Sequence, residues 1–459
     1  MKIKIGSRRN SGKFFKTLLA YQMYLVISIL FVVPLGQSEV QESTASYSYV
    51  YEWSRRVSDY LSSSPIVRRF LGGGEPVTTP RLIQLQGYPC EAHQVTTEDG
   101  FIIVMHRIPY GLKGPHQKHS PLHSRPPIIV FHGLSQSSAD WVINRPNEDA
   151  LGFYLADAGY DVWLANQRGN AYSNRHVSLT TADSAFWENS IHEIGVYDLT
   201  AMINYTTAYT GQPRVHFIGY SSGCSPLLIA LAKRPEYNEK VGLAILTAPG
   251  AFFNGFFFGL LRPTAVGASF YRVFDNLLGG FPFFSYALTN FLHRILPVLC
   301  HPKVDRLGFC LILIKVLLGD DHGFITQDKL SLITMVTPNA FSARILIHDW
   351  QMIGSGGFHE YDYGITKNKV IYGRAQPPEY NLTNVRVPVS IMVGAKDLLG
   401  SPLDAKSVAR KLPNLVDFHY VQHLHFQHVD FCYAKGVGRL VYSRAVRMLD
   451  AYSYGNSYG

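Results

Sequence analysis

The spacing of polar and apolar positions changes several times along the chain, and each change marks an element. Glu91 to Thr97 alternate, Glu98-Asp99-Gly100 carry turn chemistry, and Phe101 to Ile108 are apolar enough for a strand, which predicts a β-hairpin. A strand-then-helix rhythm follows. Ile128-Ile129-Val130-Phe131 reads as a short buried strand, Ala150 to Ala158 has helical spacing, and Asp161-Val162-Trp163-Leu164 reads as the next strand. Ser190 with Glu193 forms a capping box for a helix to about Tyr209 that places Ile191, Ile194, Leu199 and Ile203 on one face. Val215-His216-Phe217-Ile218 (strand), Ser222 to Lys233 (helix) and Leu243-Ala244-Ile245-Leu246 (strand) continue the pattern. Strands alternating with helices across short connections predict an α/β fold, with a mainly parallel central sheet flanked by helices.

The rhythm stops near Pro249 and resumes at Val389-Ser390-Ile391-Met392-Val393, with a helix near Ala405 to Leu412 and a last strand at Phe418 to Val421. Residues 251–385 between them have helix-like apolar runs and an aromatic cluster, Phe252, Phe253, Phe256, Phe257 and Phe258. The simplest division is therefore a core in two parts, 81–250 and 386–452, interrupted by a mostly helical cap at 251–385. Two readings of the cluster are equally open: ordinary core, or an apolar wall beside an active site.

The N-terminal region changes the setting of this domain. Lys2, Lys4, Arg8, Arg9, Lys13 and Lys16 precede an apolar run from about Leu18 to Leu35, the layout of a secretory signal over residues 1–38. An uncleaved signal anchor is the alternative, since about 18 apolar residues nearly span a bilayer, and it would be the chain's sole route to a membrane. Residues 39–80 read as a loose lead-in. The rest is expected in a lumen or outside the cell, secreted or lysosomal.

A hydrophobic content of 47% with 16% charged residues excludes a disordered chain. The formal charge of +9 is spread out and partly N-terminal, and no nucleic-acid motif accompanies it, so no nucleic-acid partner is expected. Five cysteines are too few and too scattered for a disulfide miniprotein or a zinc module. Cys300 and Cys310 are near enough in sequence to close a short disulfide loop, and Cys224 reads as a small packing residue. Asn204 and Asn381 head N-x-T sequons that would accept glycans in a translocated chain. No metal-ligand spacing and no phosphate-cradling loop is present, so neither metal nor cofactor is expected. Nothing in the sequence defines an oligomeric state.

Gly219-Tyr220-Ser221-Ser222-Gly223 fits G-x-S-x-G between a strand and a helix, the context in which such a serine is held on a sharp turn and Gly219 and Gly223 leave room for close neighbours. A serine hydroxyl needs a base to take its proton and a carboxylate to orient that base. Asp397 follows the strand at 389–393, with Asp404 as a rival acid. His428 follows the last strand, with His423 and His425 as rival bases. The backbone N–H groups of Leu134, in His132-Gly133-Leu134 after a strand, and of Ser222 stand where an oxyanion hole is built.

Taken together these motifs resemble the acid lipase family, which comprises lysosomal and gastric lipases and insect relatives, over about Arg81 to Met448. The resemblance rests on Gly87-Tyr88-Pro89, Thr97-Glu98-Asp99-Gly100, His132-Gly133-Leu134, Leu155 to Leu164 with Asn166 and Arg168-Gly169-Asn170, Phe186-Trp187, Tyr197-Asp198, and Trp350-Gln351 with Tyr361-Asp362-Tyr363-Gly364. It implies an α/β-hydrolase fold with Ser221 as nucleophile, Asp397 as acid and His428 as base, favoured over Asp404, His423 and His425. It also implies hydrolysis of triacylglycerols or cholesteryl esters at a lipid–water interface under a cap. The chain departs from the family at Tyr220-Ser221-Ser222, where the family has His-Ser-Gln, and at Gln427-His428-Val429-Asp430, where it has Asn-His-Leu-Asp. Alternatives are a carboxylesterase or phospholipase of the same fold, or a lipase-like protein that binds lipid without turnover.

Overall fold

The computed structural model describes residues 77–114, 125–144, 150–255, 275, 279–318 and 325–454. The segment 1–38, nearly all of 39–80, and Phe256, Phe257 and Phe258 lie outside the described residues. No helix among the described residues is long and apolar enough to cross a membrane.

Among the described residues nine strands form one sheet: β1 Glu91–Thr96, β2 Phe101–Ile108, β3 Pro127–Phe131, β4 Asp161–Leu164, β5 Arg175–His176, β6 Val215–Tyr220, β7 Val241–Thr247, β8 Val389–Val393 and β9 Leu415–Tyr420. Their order is β1-β2-β4-β3-β6-β7-β8-β9, with β5 pairing β2. β1 and β2 form the antiparallel hairpin, β2 joins β4 antiparallel, and every pairing from β4 to β9 is parallel. β3 and β6 to β9 thus end at one edge, with Phe131 opposite Gly219, Tyr220 opposite Thr247 and Val393 opposite Tyr420. In a parallel sheet that edge is where ligands bind.

The main helices in chain order are α1 Leu151–Asp157, α2 Thr200–Thr210, α3 Ser225–Lys233, α4 Tyr286–Leu299, α5 Phe309–Leu318, α6 Gln327–Ile333, α7 Ala343–Ser355, α8 Ile365–Tyr372, α9 Pro402–Ala409 and α10 Ser443–Tyr454. Alternation along the strands divides the core in two. Ile129, Phe131, Phe217, Leu246 and Ile391 pack with Met202 and Ile203 of α2 and Leu227 to Leu231 of α3. Ile128, Val130, Ile218, Tyr220 and Ile245 pack with Leu151 and Phe153 of α1 and Ala445 and Leu449 of α10. Period-2 strands with both faces covered explain why β3, β6 and β8 are buried at every position.

Several boundaries differ from the sequence expectation. The lead-in gives way at Thr79, where a helix Thr79–Leu85 starts with proline in its first turn. The helix after Ser190 runs through a π-helical stretch, Ile194–Leu199, before α2, and its four expected face residues are all buried. The expected helix at 405–412 instead begins at Pro402, because Ser401 caps it and accepts from the Asp404 N–H. The helix expected from Ser222 opens with a 3₁₀ turn, Ser221–Cys224, before α3.

The stretch between β7 and β8 carries α4 to α8. Cys300 and Cys310 are disulfide-bonded at the end of α4, Cα atoms 5.5 Å apart. This segment folds back onto the edge of the sheet. Asn339 N–H donates to the Ser135 carbonyl (2.7 Å), Ser135 Oγ to the Asn339 carbonyl (3.0 Å), and Thr337 Oγ1 to Asp140 (2.6 Å).

Candidate active site

Ser221 sits at the tip of the turn between β6 and the 3₁₀ start of α3, with φ at +56°. Four non-glycine residues among those described have positive φ: Ser135, Ser221, Ala248 and Phe253. Ser221 and Phe253 line one cavity, Ser135 follows its lining residue Leu134, and Ala248 follows β7. Such backbone costs roughly 1–3 kcal/mol per residue and persists where the surroundings over-determine it. The two elbow glycines are required by close approach. A Cβ at Gly223 would meet the His132 carbonyl oxygen at 2.3 Å, and one at Gly219 would meet the Gly223 oxygen at 2.8 Å. The Ser221 carbonyl accepts from Gly250 N–H (3.2 Å), tying the turn to the segment after β7.

His428 Nε2 lies 2.8 Å from Ser221 Oγ. Its Nδ1 lies 2.9 and 3.1 Å from the two oxygens of Asp397. Asp397 is 3% and His428 5% exposed, so their ion-dipole contact is sheltered from water. Asp397 Oδ1 also accepts from the N–H groups of Leu399 (2.9 Å) and Gly400 (2.8 Å). Gly400 N is 3.2 Å from His428 Nδ1 as well, but that nitrogen carries the proton given to Asp397, so the glycine N–H belongs to the carboxylate. The remaining tautomer leaves Nε2 an acceptor facing the serine hydroxyl, the arrangement in which imidazole takes a proton.

The rival residues are elsewhere. Asp404 belongs to the cap of α9, bonded to Ser401 Oγ (2.7 Å) and to Gly255 N–H (3.2 Å). His423 is exposed and His425 half-buried in the loop before Phe426. Cys224 is fully buried, its thiol directed at the Thr247 carbonyl. Asn381 is exposed and its Oδ1 accepts from Thr383 Oγ1 (2.7 Å). Asn204 is exposed, with its amide donating to Tyr237 (2.8 Å) and accepting from Lys240 (2.7 Å).

Leu134 and Ser222 line the cavity beside Ser221. The Leu134 loop is braced from behind. Gly133 N–H donates to Gln136 Oε1 (2.9 Å), whose Nε2 donates to Tyr433 Oη (2.8 Å), and Tyr433 Oη donates in turn to Asp140. Asp140 is 1% exposed, and burial pushes its carboxyl up to about 6 against the hydrogen bonds that favour the anion. His132 is also fully buried. Its Nδ1 donates to the Gly133 carbonyl (2.8 Å) while Nε2 accepts from Gln167 N–H (3.3 Å), and burial lowers its pKa to about 4, so it is a neutral strut. Arg168 anchors the loop after β4 by binding Asp198 (Nε–Oδ1 2.8 Å) and Asp99 (Nη1–Oδ2 2.6 Å).

Sequence reasoning missed Tyr220 and Gln136. Tyr220 hydroxyl donates to the His428 carbonyl (3.0 Å), and its ring lies 5.1 Å from the imidazole, centroid to centroid. The x position of the motif thus supports the imidazole from beneath. Phe252 packs into the core against Phe358 (5.8 Å), whereas Phe253 lines the cavity, so the described part of the aromatic cluster serves both readings.

The cavity has a volume of about 400 Å³ and is walled by Leu330, Ile333, Leu346, Trp350 and Ile353 of the inserted helices. That is within the range of small-ligand sites, roughly 300–1,000 Å³. No group of three or more His, Cys, Asp or Glu side chains among the described residues is placed to hold a metal ion. A hydroxyl, an imidazole and a carboxylate in series at the mouth of an apolar cavity can carry out acyl transfer.

Comparison with known proteins gives concordant matches. Residues 79–145 match the family described as partial alpha/beta-hydrolase lipase region, and residues 126–288 match the alpha/beta hydrolase fold. The chain is similar to lipase 1 of Drosophila melanogaster, 33% identical over 393 residues that cover 86% of this chain and 84% of that protein. It is 33% identical to lipase 3 of the same fly, covering 83% of this chain and 95% of that protein. With the gastric triacylglycerol lipase of Homo sapiens it shares 32% identity, covering 82% of this chain and 92% of that protein.

Proposed function

The chain belongs to the acid lipase family of α/β-hydrolases and is a carboxylic ester hydrolase, and on that premise we propose a serine lipase acting on neutral glycerides through Ser221, His428 and Asp397. The observation that carries this reading is the unbroken chain of short contacts, Ser221 Oγ to His428 Nε2 at 2.8 Å and His428 Nδ1 to Asp397 at 2.9 Å, opening into an apolar cavity.

In the proposed reaction His428 Nε2 takes the Ser221 proton as Oγ attacks the ester carbonyl. The N–H groups of Leu134 and Ser222 stabilise the oxyanion, an interaction worth roughly 3–4 kcal/mol per donor in related sites. His428 then protonates the departing alcohol, and the acyl group stays on Ser221. Water, deprotonated by the same imidazole, releases the fatty acid. Asp397 holds the Nδ1–H tautomer and stabilises the imidazolium without itself taking the proton. The fixed backbone at Leu134, braced by Gln136 and His132, spares the site reorganisation during the step.

The substrate class follows from the named activity of relatives such as the gastric triacylglycerol lipase and from the apolar wall, which solvates an acyl chain better than water does. The same relatives, the basic-then-apolar N-terminus and the Cys300–Cys310 disulfide support passage through the secretory pathway. Tested on emulsified triolein with the purified full chain, wild type is expected to release oleate. Ser221→Ala abolishes release, and Asp397→Asn lowers kcat about 10⁴-fold by stabilising the wrong tautomer. Equal release by wild type and Ser221→Ala refutes the reading.

A further inference from the structure

α7 presents Leu346, Asp349, Trp350 and Ile353 to the cavity. Three of these are apolar; Asp349 is a carboxylic acid. It is 7% exposed and lines the same cavity as Ser221. Among the described residues it makes no hydrogen bond and no ion pair, and this is not true of the other ionisable side chains of the cavity. Tyr220 is bonded to the His428 carbonyl, Tyr433 to Asp140 and Gln136, and His428 to Ser221 and Asp397. Thr337, facing the same space, gives its hydroxyl to Asp140. A buried carboxyl without a partner is a rare feature of a folded protein and points to a ligand.

We propose that Asp349 is a substrate-recognition residue, hydrogen-bonding a free hydroxyl of the bound ester, so that the enzyme prefers hydroxyl-bearing esters such as partial glycerides over wholly apolar ones. This rests on the reading of Ser221 as a lipase nucleophile. Burial pushes the Asp349 carboxyl up to about 8, so at neutral pH it is a neutral acid able both to donate and to accept. A hydroxyl is the fitting partner. A cationic group would have to shed its hydration among Leu330, Ile333, Leu346 and Ile353, whereas a neutral hydroxyl and a neutral acid satisfy one another at small desolvation cost. A hydroxyl-free ester leaves the acid dry and unpaired, and sites of this kind discriminate strongly against such analogues.

The hydroxyl can sit on the alcohol or on the acyl chain, so three esters of matched chain length separate the cases: 1-monooleoylglycerol, methyl ricinoleate and methyl oleate. With the purified full chain, kcat/KM is measured on all three for wild type, Asp349→Leu and Asp349→Asn, and active Ser221 is counted by titration with a fluorophosphonate. Wild type is expected to prefer at least one hydroxylated ester over methyl oleate by about tenfold. A preference for the monoglyceride places the hydroxyl on the alcohol, and one for the ricinoleate places it on the chain. Asp349→Leu loses that preference and gains severalfold on methyl oleate, while Asp349→Asn, still able to donate and accept, retains most of it. The proposal is overturned if wild type treats the three esters alike, which needs no variant, or if the preference survives in titratable Asp349→Leu. Failure of wild type to hydrolyse any of the esters would instead overturn the lipase reading itself.

Discussion

Replacing Tyr220 with phenylalanine removes one hydroxyl and leaves the ring beside the imidazole. The hydroxyl donates to the His428 carbonyl at 3.0 Å, with Tyr220 3% and His428 5% exposed, so no solvent replaces it. A hydrogen bond of this kind contributes about 1 kcal/mol net, and the orphaned carbonyl raises the loss to about 2 kcal/mol. His428 is also held through Asp397 (2.9 Å), and the segment after it by Asn144 to the Cys432 carbonyl (2.7 Å) and Tyr442 to the Phe431 carbonyl (2.7 Å), so the Tyr220 bond shares in setting the height of the imidazole over Ser221. If about 1 kcal/mol of that loss appears as misplacement of Nε2, kcat/KM falls about fivefold. The assay is hydrolysis of a short soluble p-nitrophenyl ester, with thermal unfolding followed in parallel. A melting temperature lowered by about 2 °C is expected alongside the fivefold loss. Activity within twofold of wild type at a lowered melting temperature would refute the argument, since the hydroxyl would then serve the fold and not the base.

Two further perturbations test the scaffold. Gly223→Ala drives a Cβ to 2.3 Å from the His132 carbonyl oxygen, a backbone atom that cannot swing away; urea unfolding should show about 3 kcal/mol of destabilisation or an insoluble protein, and an unchanged midpoint would show that the turn relaxes freely. Acid stability should fall through neutral buried imidazoles. His348, fully buried with Nε2 donating to the His359 carbonyl (2.8 Å), has its pKa lowered to about 3 by burial, with His359 and His192 adding to the effect. Because its folded value lies below the ordinary 6.5, the stability it holds is complete above pH 6.5 and is lost as pH falls toward 3, up to about 2 kcal/mol by pH 5. His348→Gln keeps a donor for that carbonyl and removes the titration, so the difference in melting temperature between pH 7 and pH 5 should narrow; an unchanged difference would clear His348.

Much of this architecture was written in local pattern. The hairpin, β3, β4, β6, β7 and β8 each announce themselves by short apolar runs bounded by turn residues, and Ser190 with Glu193 marks a helix start that the structure confirms as a capping box. Such signals survive because they act between residues a few positions apart. Weaker ones did not: β5 has two residues, and α9 starts at a Ser-Pro step whose apolar periodicity begins only later.

The sequence by itself determined a strand-helix order, a serine at the end of a buried strand, and acids and histidines after later strands. Tertiary structure decided which of them meet. Asp397 and Asp404 are equivalent by residue type, and so are His428, His423 and His425; separation comes from register, which sets Val393 beside Tyr420 and brings Asp397 and His428 together while Asp404 turns back to cap its own helix. The same holds for Tyr220 reaching the His428 carbonyl across 208 positions and for Asp349 lining one cavity with Ser221, far away in the chain. Period and capping are short-range consequences of backbone geometry, whereas a contact between distant segments exists only once a sheet and a packed insertion have closed the loops between them.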